Sequence, residues 1–369
     1  MGLKVAIMGV RGIPANYGGF ETFTERLSIG LVQRGHDVTV YCRSNNVQYD
    51  GEYYQGVRLV VLPTIRHKYF DTVAHTFVCV LHCLFKRFDA ILICNSVNSV
   101  FSCVPRLSGT KVAVNVDGLE WQRSKWNRLA QWTYRASEFL ATVFPDVVVT
   151  DSKCIQEYYH RKFNKDSIFI PYGAPEEQVL SDGFLNTYNL RKRNYILYVS
   201  RLEPENNAHL VIRAFERIRS DMKLVVVGDA PYNEKYIAAL KKTKDPRIEF
   251  TGYVFGRGYR ELQSNAYLYI QATEVGGTHP ALLEGMGYGN CVLANDVPEH
   301  REVLGDAGCY FSGRSTDHLA EQLQYLIDHP IEVKMYRTKA LIRVREQYTW
   351  DKVTSDYEYL FSMMSGRKD

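Results

Sequence analysis

Apolar positions along the chain follow two rhythms. Runs that are apolar at nearly every position, KVAIMG (4–9), HDVTVYC (36–42), GVRLVVLP (56–63), AILICN (90–95) and KVAVNV (111–116), read as strands covered on both faces. Between them GGFETFTERLSIGLVQRG (18–35) and a stretch at about 71–87 carry apolar residues at helical spacing. This alternation predicts a parallel sheet with helices on both faces.

The rhythm restarts near residue 195. YILYVS (195–200), KLVVVGD (223–229), IEFTGYV (248–254) and YLYIQA (267–272) read as strands. NNAHLVIRAFERIRS (206–220), NEKYIAALKKT (233–243) and YRELQSNA (259–266) read as helices, and ALLEGMGYG, CVLAN and HLAEQLQYLIDH complete a second unit. IPYGAPEEQVL, with Pro171, Gly173 and Pro175, reads as the linker. The expected fold is α/β, two doubly wound Rossmann-like domains facing a cleft. Their predicted bounds are 1–172 and 173–345, with a terminal helix in 346–369 packing back on the first domain.

Ligands of open parallel sheets bind beyond the carboxyl ends of the strands, so the residues just after each strand matter most. After the first strand, Gly18-Gly19 open a helix, where small residues let backbone N–H groups approach an anion; a tight loop would need the same glycines. The spacing around Gly9 and Gly12 does not make a GxGxxG fingerprint. Asp117 and Glu120 follow KVAVNV and suit sugar hydroxyls or proton transfer, although Asp117 could equally cap a helix. Arg201 follows YVS, where a guanidinium suits a diphosphate as well as it suits an ordinary surface.

The stretch TEVGGTHPALLEGM (273–286) is the most informative. Gly276-Gly277 are read as a sharp turn, Thr278 or His279 as the cap, and Pro280 as the first helical residue. Free N–H groups of that first turn would face an anion, with Glu284 one turn on to accept hydrogen bonds from hydroxyls. A plain strand–turn–helix with a solvated glutamate is the other possibility.

Composition narrows the class. At 369 residues, 46% hydrophobic and 23% charged, the chain is an ordinary globular protein of two domains. No apolar run reaches the roughly 18–20 residues of a membrane span, and the N-terminal run VAIMG is soon ended by Arg11, so it reads as a strand rather than a signal peptide. A cytoplasmic protein is expected. The eight cysteines form no CxxC pair and read as reduced thiols. The net charge of +4 is uneven: residues 1–175 hold 20 Lys+Arg against 14 Asp+Glu, a balance of +6. That is too weak for nucleic acid, and no nucleic-acid motif accompanies it. WNRLAQWTYRASEFLATVF interleaves Trp126, Trp132, Tyr134 and Phe139 with Arg128 and Arg135, and FVCVLHCLFKRF (77–88) ends in Lys86-Arg87. Such helices suit a membrane interface, or a packed helix with a charged rim.

Taken in order, these motifs resemble the retaining GT-B glycosyltransferases of family four: RGHDVTVYC, TDSKCIQEYY, IPYGAP, SRLEPENNAHLVIRAF, LVVVGDA, FTGYV, GGTHPALLEGMGYGNCVLANDVPEHREVL and YTWDKVTSDYEYLF. RGIPANYGGFET and VDGLEWQRSKW are similar to a bacterial subgroup containing rhamnosyltransferases of polysaccharide synthesis. The resemblance implies an acceptor-binding first domain, a nucleotide-sugar-binding second domain and no metal or other cofactor. It implies donor contacts at Gly18, Gly19, Arg201, Asn206, Gly276, Gly277, Thr278, His279, Pro280, Ala281, Leu282 and Glu284, with Asp117, Glu120 and Arg201 in catalysis. The sequence departs from the family pattern twice: the diphosphate lysine falls on Asn206, and the first of two paired glutamates falls on Gly276, with Glu274 out of register. The missing sugar-gripping glutamate fits a 6-deoxy sugar, so the expected donor is dTDP-rhamnose. The expected acceptor is a lipid-linked saccharide at the inner face of the membrane, which the protein would touch peripherally. The alternatives are UDP-glucose or UDP-GlcNAc as donor, a nucleotide-sugar epimerase, or a non-catalytic member of a polysaccharide assembly complex.

Overall fold

A computed structural model describes residues 2–15, 18–67, 70–123, 126–230 and 233–366. The chain divides into two units, Met1–Gly173 with Trp350–Asp369, and Ala174–Thr349.

Among the described residues the first unit holds eight strands: β1 (Lys4–Met8), β2 (Asp37–Arg43), β3 (Tyr53–Tyr54), β4 (Val57–Leu62), β5 (Ala90–Cys94), β6 (Lys111–Asn115), β7 (Val147–Thr150) and β8 (Ile168–Phe169). They run in the order β3-β4-β2-β1-β5-β6-β7-β8. The short edge pair β3–β4 is antiparallel, and the other pairs described are parallel. Central β5, AILIC, is buried at all five positions, as a strand covered on both faces must be. Gly9 has φ +87°, and a Cβ there would lie 2.3 Å from the Cys94 carbonyl oxygen, so the ends of β1 and β5 approach closely only because the residue is glycine.

The terminal helix Trp350–Ser365 belongs to this unit and buries Val353, Tyr357, Leu360 and Phe361. Tyr357 packs 5.4 Å from the Phe23 ring, and its hydroxyl accepts from Asn115 Nδ2 at 3.0 Å. At the rim Arg34 pairs with Asp351 and Glu358.

Among the described residues the second unit holds six strands: β9 (Tyr195–Val199), β10 (Lys223–Val227), β11 (Ile248–Gly252), β12 (Leu268–Gln271), β13 (Cys291–Asn295) and β14 (Cys309–Phe311). All neighbours are parallel, in the order β11-β10-β9-β12-β13-β14. Counted from β9 this is the doubly wound order 3-2-1-4-5-6, whose direction reverses between β9 and β12. Ile196, Tyr198, Leu224, Val226, Leu268 and Ile270 carry the core on one face of the sheet.

Several predicted bounds shift. The helix read over 71–87 is Asp71–Cys83, because Leu84, Phe85 and Lys86 each bond three residues back and tighten the chain into turns. The helix read over 206–220 is Ala208–Phe215: Asn207 sits at φ +62°, outside the right-handed helical region, after a tight turn at Pro204–Asn206. Strands β3, β7 and β8 and the helices Lys153–Phe163 and Pro330–Gln347 escaped the sequence reading. All eight cysteines are free thiols, five of them buried.

Candidate functional site

In the second unit the two segments singled out from the sequence emerge on either side of the point where strand order reverses. Arg201 lies just past β9, and residues 273–284 follow β12. The loop carrying Arg201 is held tightly. Gly228, at φ +132°, would place a Cβ 1.8 Å from the Ser200 carbonyl oxygen, so only glycine lets the two loops meet. Tyr198 donates from its hydroxyl to the Asn206 carbonyl at 2.6 Å, and Asn206 Nδ2 donates to the Arg201 carbonyl at 2.7 Å. Asn206, expected among the donor contacts, is therefore buried and closes the loop from inside. Arg201 itself is half-buried, with a guanidinium nitrogen 3.7 Å from Glu203.

After β12 the chain enters the helix Pro280–Gly287, with proline at its first position as expected. Neither Gly276 nor Gly277 takes a left-handed φ, so a sharp turn is not what demands glycine there. At Gly276 the reason is space: a Cβ would fall 2.5 Å from His279 Nε2. His279 is the cap residue, yet its side chain makes no capping hydrogen bond. The N–H groups of Gly276, Gly277 and Ala281 find no hydrogen-bond partner among the described residues, which is the donor array a helix start offers to an anion. Leu282 does not join them: it is wholly buried, and its N–H bonds the His279 carbonyl at 3.0 Å. Gly285 and Gly287 bring this helix close to Tyr269 and to the Pro175 carbonyl. Glu284, one turn in, is half-buried and accepts from the Tyr259 hydroxyl, which in turn accepts from Gln263 Nε2 at 3.0 Å.

A second layer of polar groups lies behind this helix start. His279 Nδ1 is 3.1 Å from His300 Nε2, and His300 Nδ1 is 2.7 Å from the Asn295 carbonyl oxygen. His300 is wholly buried, and that burial pushes its pKa down to about 4. Glu274 turns aside: Arg314 bonds both its oxygens, at 3.2 and 3.1 Å, and Asn207 Nδ2 adds a bond at 3.0 Å. Burial opposes its charge, but these partners hold its pKa below the ordinary carboxylate value. These contacts fasten the β12 loop.

In the first unit Gly18 is the extended residue before the helix Gly19–Gln33. The loop after β1 is tied to that helix: Arg11 N–H donates to Glu21 at 3.0 Å and Ala15 N–H to Glu25 at 2.6 Å. Asp117 stands past β6 with φ +53° and is half-buried. Burial, and then the charge of Glu120, raise its pKa. Glu120 is committed elsewhere, accepting from Arg123 Nε at 2.6 Å and Trp126 Nε1 at 3.4 Å. Asp151, buried directly after β7, is a further carboxylate beside Asp117; looking after every strand would have found it. His300 and Tyr259 left no such signal, since they join the site only through tertiary packing. Asn16, Tyr17, Ser124 and Lys125 of the two subgroup motifs lie outside the described residues.

The same unit carries an unusual outer face. The helix Arg128–Val143 turns Leu129, Trp132, Phe139 and Val143 outward, Leu129 and Trp132 at 72% and 68% exposure. It buries Glu138 instead, which accepts from Tyr158 at 2.8 Å and Lys162 at 3.2 Å. Trp126 and Tyr134 pack on each other at 5.2 Å, and Arg135 lies 4.3 Å over the Trp121 ring. Phe77, Leu81 and Phe85 extend a second outward stripe, ending in exposed Lys86 and Arg87. Among the described residues, no helix is long and apolar enough to cross a membrane.

Comparison with known proteins fits this geometry. Over 98–99% of the chain it superposes on sucrose-phosphate synthase from Thermosynechococcus elongatus (TM-score 0.82, 17% identity, 99% of that chain) and on HepE of Anabaena in complex with UDP and glucose (0.78, 15%, 100% of that chain). The fold is GT-B. Residues 193–329 match the family described as glycosyl transferases group 1, and residues 3–175 match a domain of unknown function, DUF1972. An uncharacterized glycosyltransferase of Methanocaldococcus jannaschii is 24% identical over 230 residues, 59% of each chain. The O-antigen chain mannosyltransferase B of Escherichia coli is 22% identical over 177 residues, 46% of each. The chain spans about half the length of the curated relatives it matches. Within this GT-B fold, the Arg201 loop and the Gly276–Glu284 segment both belong to the stretch matching glycosyl transferases group 1.

Proposed function

We propose that the chain is a retaining glycosyltransferase that moves a sugar from a nucleoside-diphosphate donor to a saccharide acceptor in bacterial surface polysaccharide synthesis. The observation that carries this reading is that the loop bearing Arg201 and the segment leading into the helix Pro280–Gly287 follow β9 and β12, the two strands between which the sheet order reverses. The match of residues 193–329 to glycosyl transferases group 1 and the O-antigen mannosyltransferase relative support it.

In this reading the diphosphate lies against Arg201 and the N–H groups of Gly276–Ala281, and Glu284 accepts from the ribose hydroxyls. The bond from the sugar's anomeric carbon to the phosphate oxygen breaks as the acceptor oxygen bonds that carbon on the same face. The acceptor's proton passes to the departing phosphate oxygen. Such a step needs fixed positive charge at the leaving group more than it needs a protein base, and no metal is invoked. Asp117 receives a hydroxyl of the acceptor or of the donor sugar.

The donor we favour is dTDP-rhamnose, supported by the subgroup resemblance and by glycine at 276. Thermal-shift titration against dTDP-rhamnose, UDP-glucose, UDP-GlcNAc and GDP-mannose tests it: dTDP-rhamnose should stabilise most, and a larger shift with any other donor overturns the choice. For the acceptor we favour a lipid-linked saccharide, presented at a membrane surface that the outward face of Leu129, Trp132 and Phe139 would touch.

A further inference from the structure

The first unit holds a cavity of 220 Å³ between its sheet and the far end of the helix Asp71–Cys83. Strand register builds the floor. Thr39 of β2 lies opposite Arg58 of β4, and Tyr41 opposite Val60, so these four side chains stand on one face of the sheet. His82, Lys86 and Phe88, from the helix end and the turns after it, close the other side. The helix starts at the carboxyl end of β2, where Asp71 holds Arg43 at 2.8 Å. Thr39 lies four residues before Arg43, roughly 13 Å back along the strand. The cavity is thus set back from the strand ends that carry the candidate site.

Its lining has one electrical character. Arg58, His82 and Lys86 face it, and no carboxylate is among its lining residues. Lys86 is exposed and has no ion-pair partner among the described residues. Arg58 meets Glu52 at 3.1 Å, but both are exposed, and such a pair gives way readily to another anion. Thr39 is only 5% exposed, yet its hydroxyl has no hydrogen-bond partner among the described residues. A hydroxyl so buried is normally satisfied, and here the partner must come from the cavity. His82 Nδ1 is 2.9 Å from the Tyr41 hydroxyl, which leaves Nε2 without a partner among the described residues. Burial, and then the charges of Lys86 and Arg58, lower the His82 pKa, so both cations act on this ring.

We propose that this cavity binds a phosphate group, held by Arg58 and Lys86, with the Thr39 hydroxyl donating to it and His82 joining as the imidazolium. A guanidinium, an ammonium and a hydroxyl around one space match the several acceptor oxygens of phosphate. The volume exceeds the roughly 150 Å³ that holds benzene, so a phosphate bearing a small substituent also fits. The phosphate has two sources. It is free, as inorganic phosphate or a small ester, or it is the headgroup of an anionic lipid, since Lys86 also ends the outward stripe of Phe77, Leu81 and Phe85. The site is independent of the sugar-transfer reading.

Inorganic phosphate titrated into the full chain and followed by histidine ring NMR tests the proposal, with the His82 signal assigned by its loss in His82→Gln. Millimolar phosphate should shift that signal and raise the His82 pKa, because an anion beside the ring favours its charged form. Arg58→Ala and Lys86→Ala should each weaken phosphate at this signal about tenfold, the loss of one charge-assisted hydrogen bond. Both should melt with the parent protein, since both side chains are exposed. Thr39→Val, which keeps the shape and removes the hydroxyl, should weaken it by a smaller factor. Sedimentation with phosphatidylcholine vesicles, with and without phosphatidic acid, separates the sources. Capture that depends on phosphatidic acid and fails in the Arg58→Ala and Lys86→Ala proteins assigns the lipid headgroup. A phosphate-shifted His82 without such capture assigns a free phosphate. An unmoved His82 signal together with vesicle capture indifferent to Arg58 and Lys86 overturns the proposal. So does a phosphate shift that persists at full strength when both residues are alanine.

Discussion

Glu284 and Arg201 differ in what surrounds them, and that difference sets what each substitution should do. Glu284 is half-buried and rests on the Tyr259 hydroxyl. Removing its carboxylate deletes a charged acceptor, worth roughly 1.5–3 kcal/mol, so Glu284→Ala should raise the donor KM by about 10- to 100-fold. In the proposed function Arg201 stabilises the leaving group, so Arg201→Ala should lower kcat about 100- to 1,000-fold, as loss of a transition-state donor does. Both variants should melt within a few degrees of the parent protein, because neither side chain is buried in the core; steady-state kinetics and differential scanning fluorimetry check the two halves together. His300 adds a pH dependence. Its folded pKa is depressed from 6.5 to about 4, so the unfolded chain takes up a proton that the fold refuses. Its contribution is fully present above pH 6.5 and is lost as pH falls toward 4, on the order of 3 kcal/mol in all. His75, buried in the first unit and also depressed to about 4, acts in the same direction. Denaturant titrations across that range should steepen with acid, and His300→Gln should remove part of the slope. Arg201 and Glu284 were legible because each follows a strand in a recognisable pattern. The glycine at 276 was also visible, but not the imidazole that requires it, since the pattern of a turn does not reveal which ring will fold back upon it.

The helix Arg128–Val143 is inverted relative to a core helix: Glu138 points in and Trp132 out. An apolar stripe facing water is costly unless something covers it. Sedimentation with anionic liposomes should capture the protein, less so at high salt, and Trp132→Ser with Phe139→Ser should release it without loss of stability. No binding by the unaltered protein would refute the membrane reading. The sequence revealed the mixture of aromatic and basic residues here, but not its sorting, because Trp126 and Tyr134 turn inward only through their contact with each other and with Glu120. The helix Trp350–Ser365 presents the opposite case. Tyr357 is fully buried against Phe23 and Asn115, so Tyr357→Ala should cost about 3–5 kcal/mol. Thermal unfolding should register this as a fall in the midpoint of the first unit.

Across the whole chain, the strand-and-helix rhythm was enough to predict two parallel α/β units, because buried parallel strands read as unbroken apolar runs. What the rhythm does not contain is strand order. The reversal between β9 and β12 depends on which strands pair, and it is that reversal which turns two separate loop motifs into one candidate site. Short elements such as β3 and β8, two residues each, carry too little pattern to be read at all. The central claim is sugar transfer from a nucleotide donor. Its most direct test incubates the purified chain with each of the four nucleotide sugars and a set of lipid-linked saccharide acceptors, with products read by mass spectrometry. The account predicts an acceptor heavier by one sugar residue, from dTDP-rhamnose above the others, and no such product from the Arg201→Ala protein. Donor left intact with every acceptor, or an isomerised donor formed without any acceptor, would contradict it.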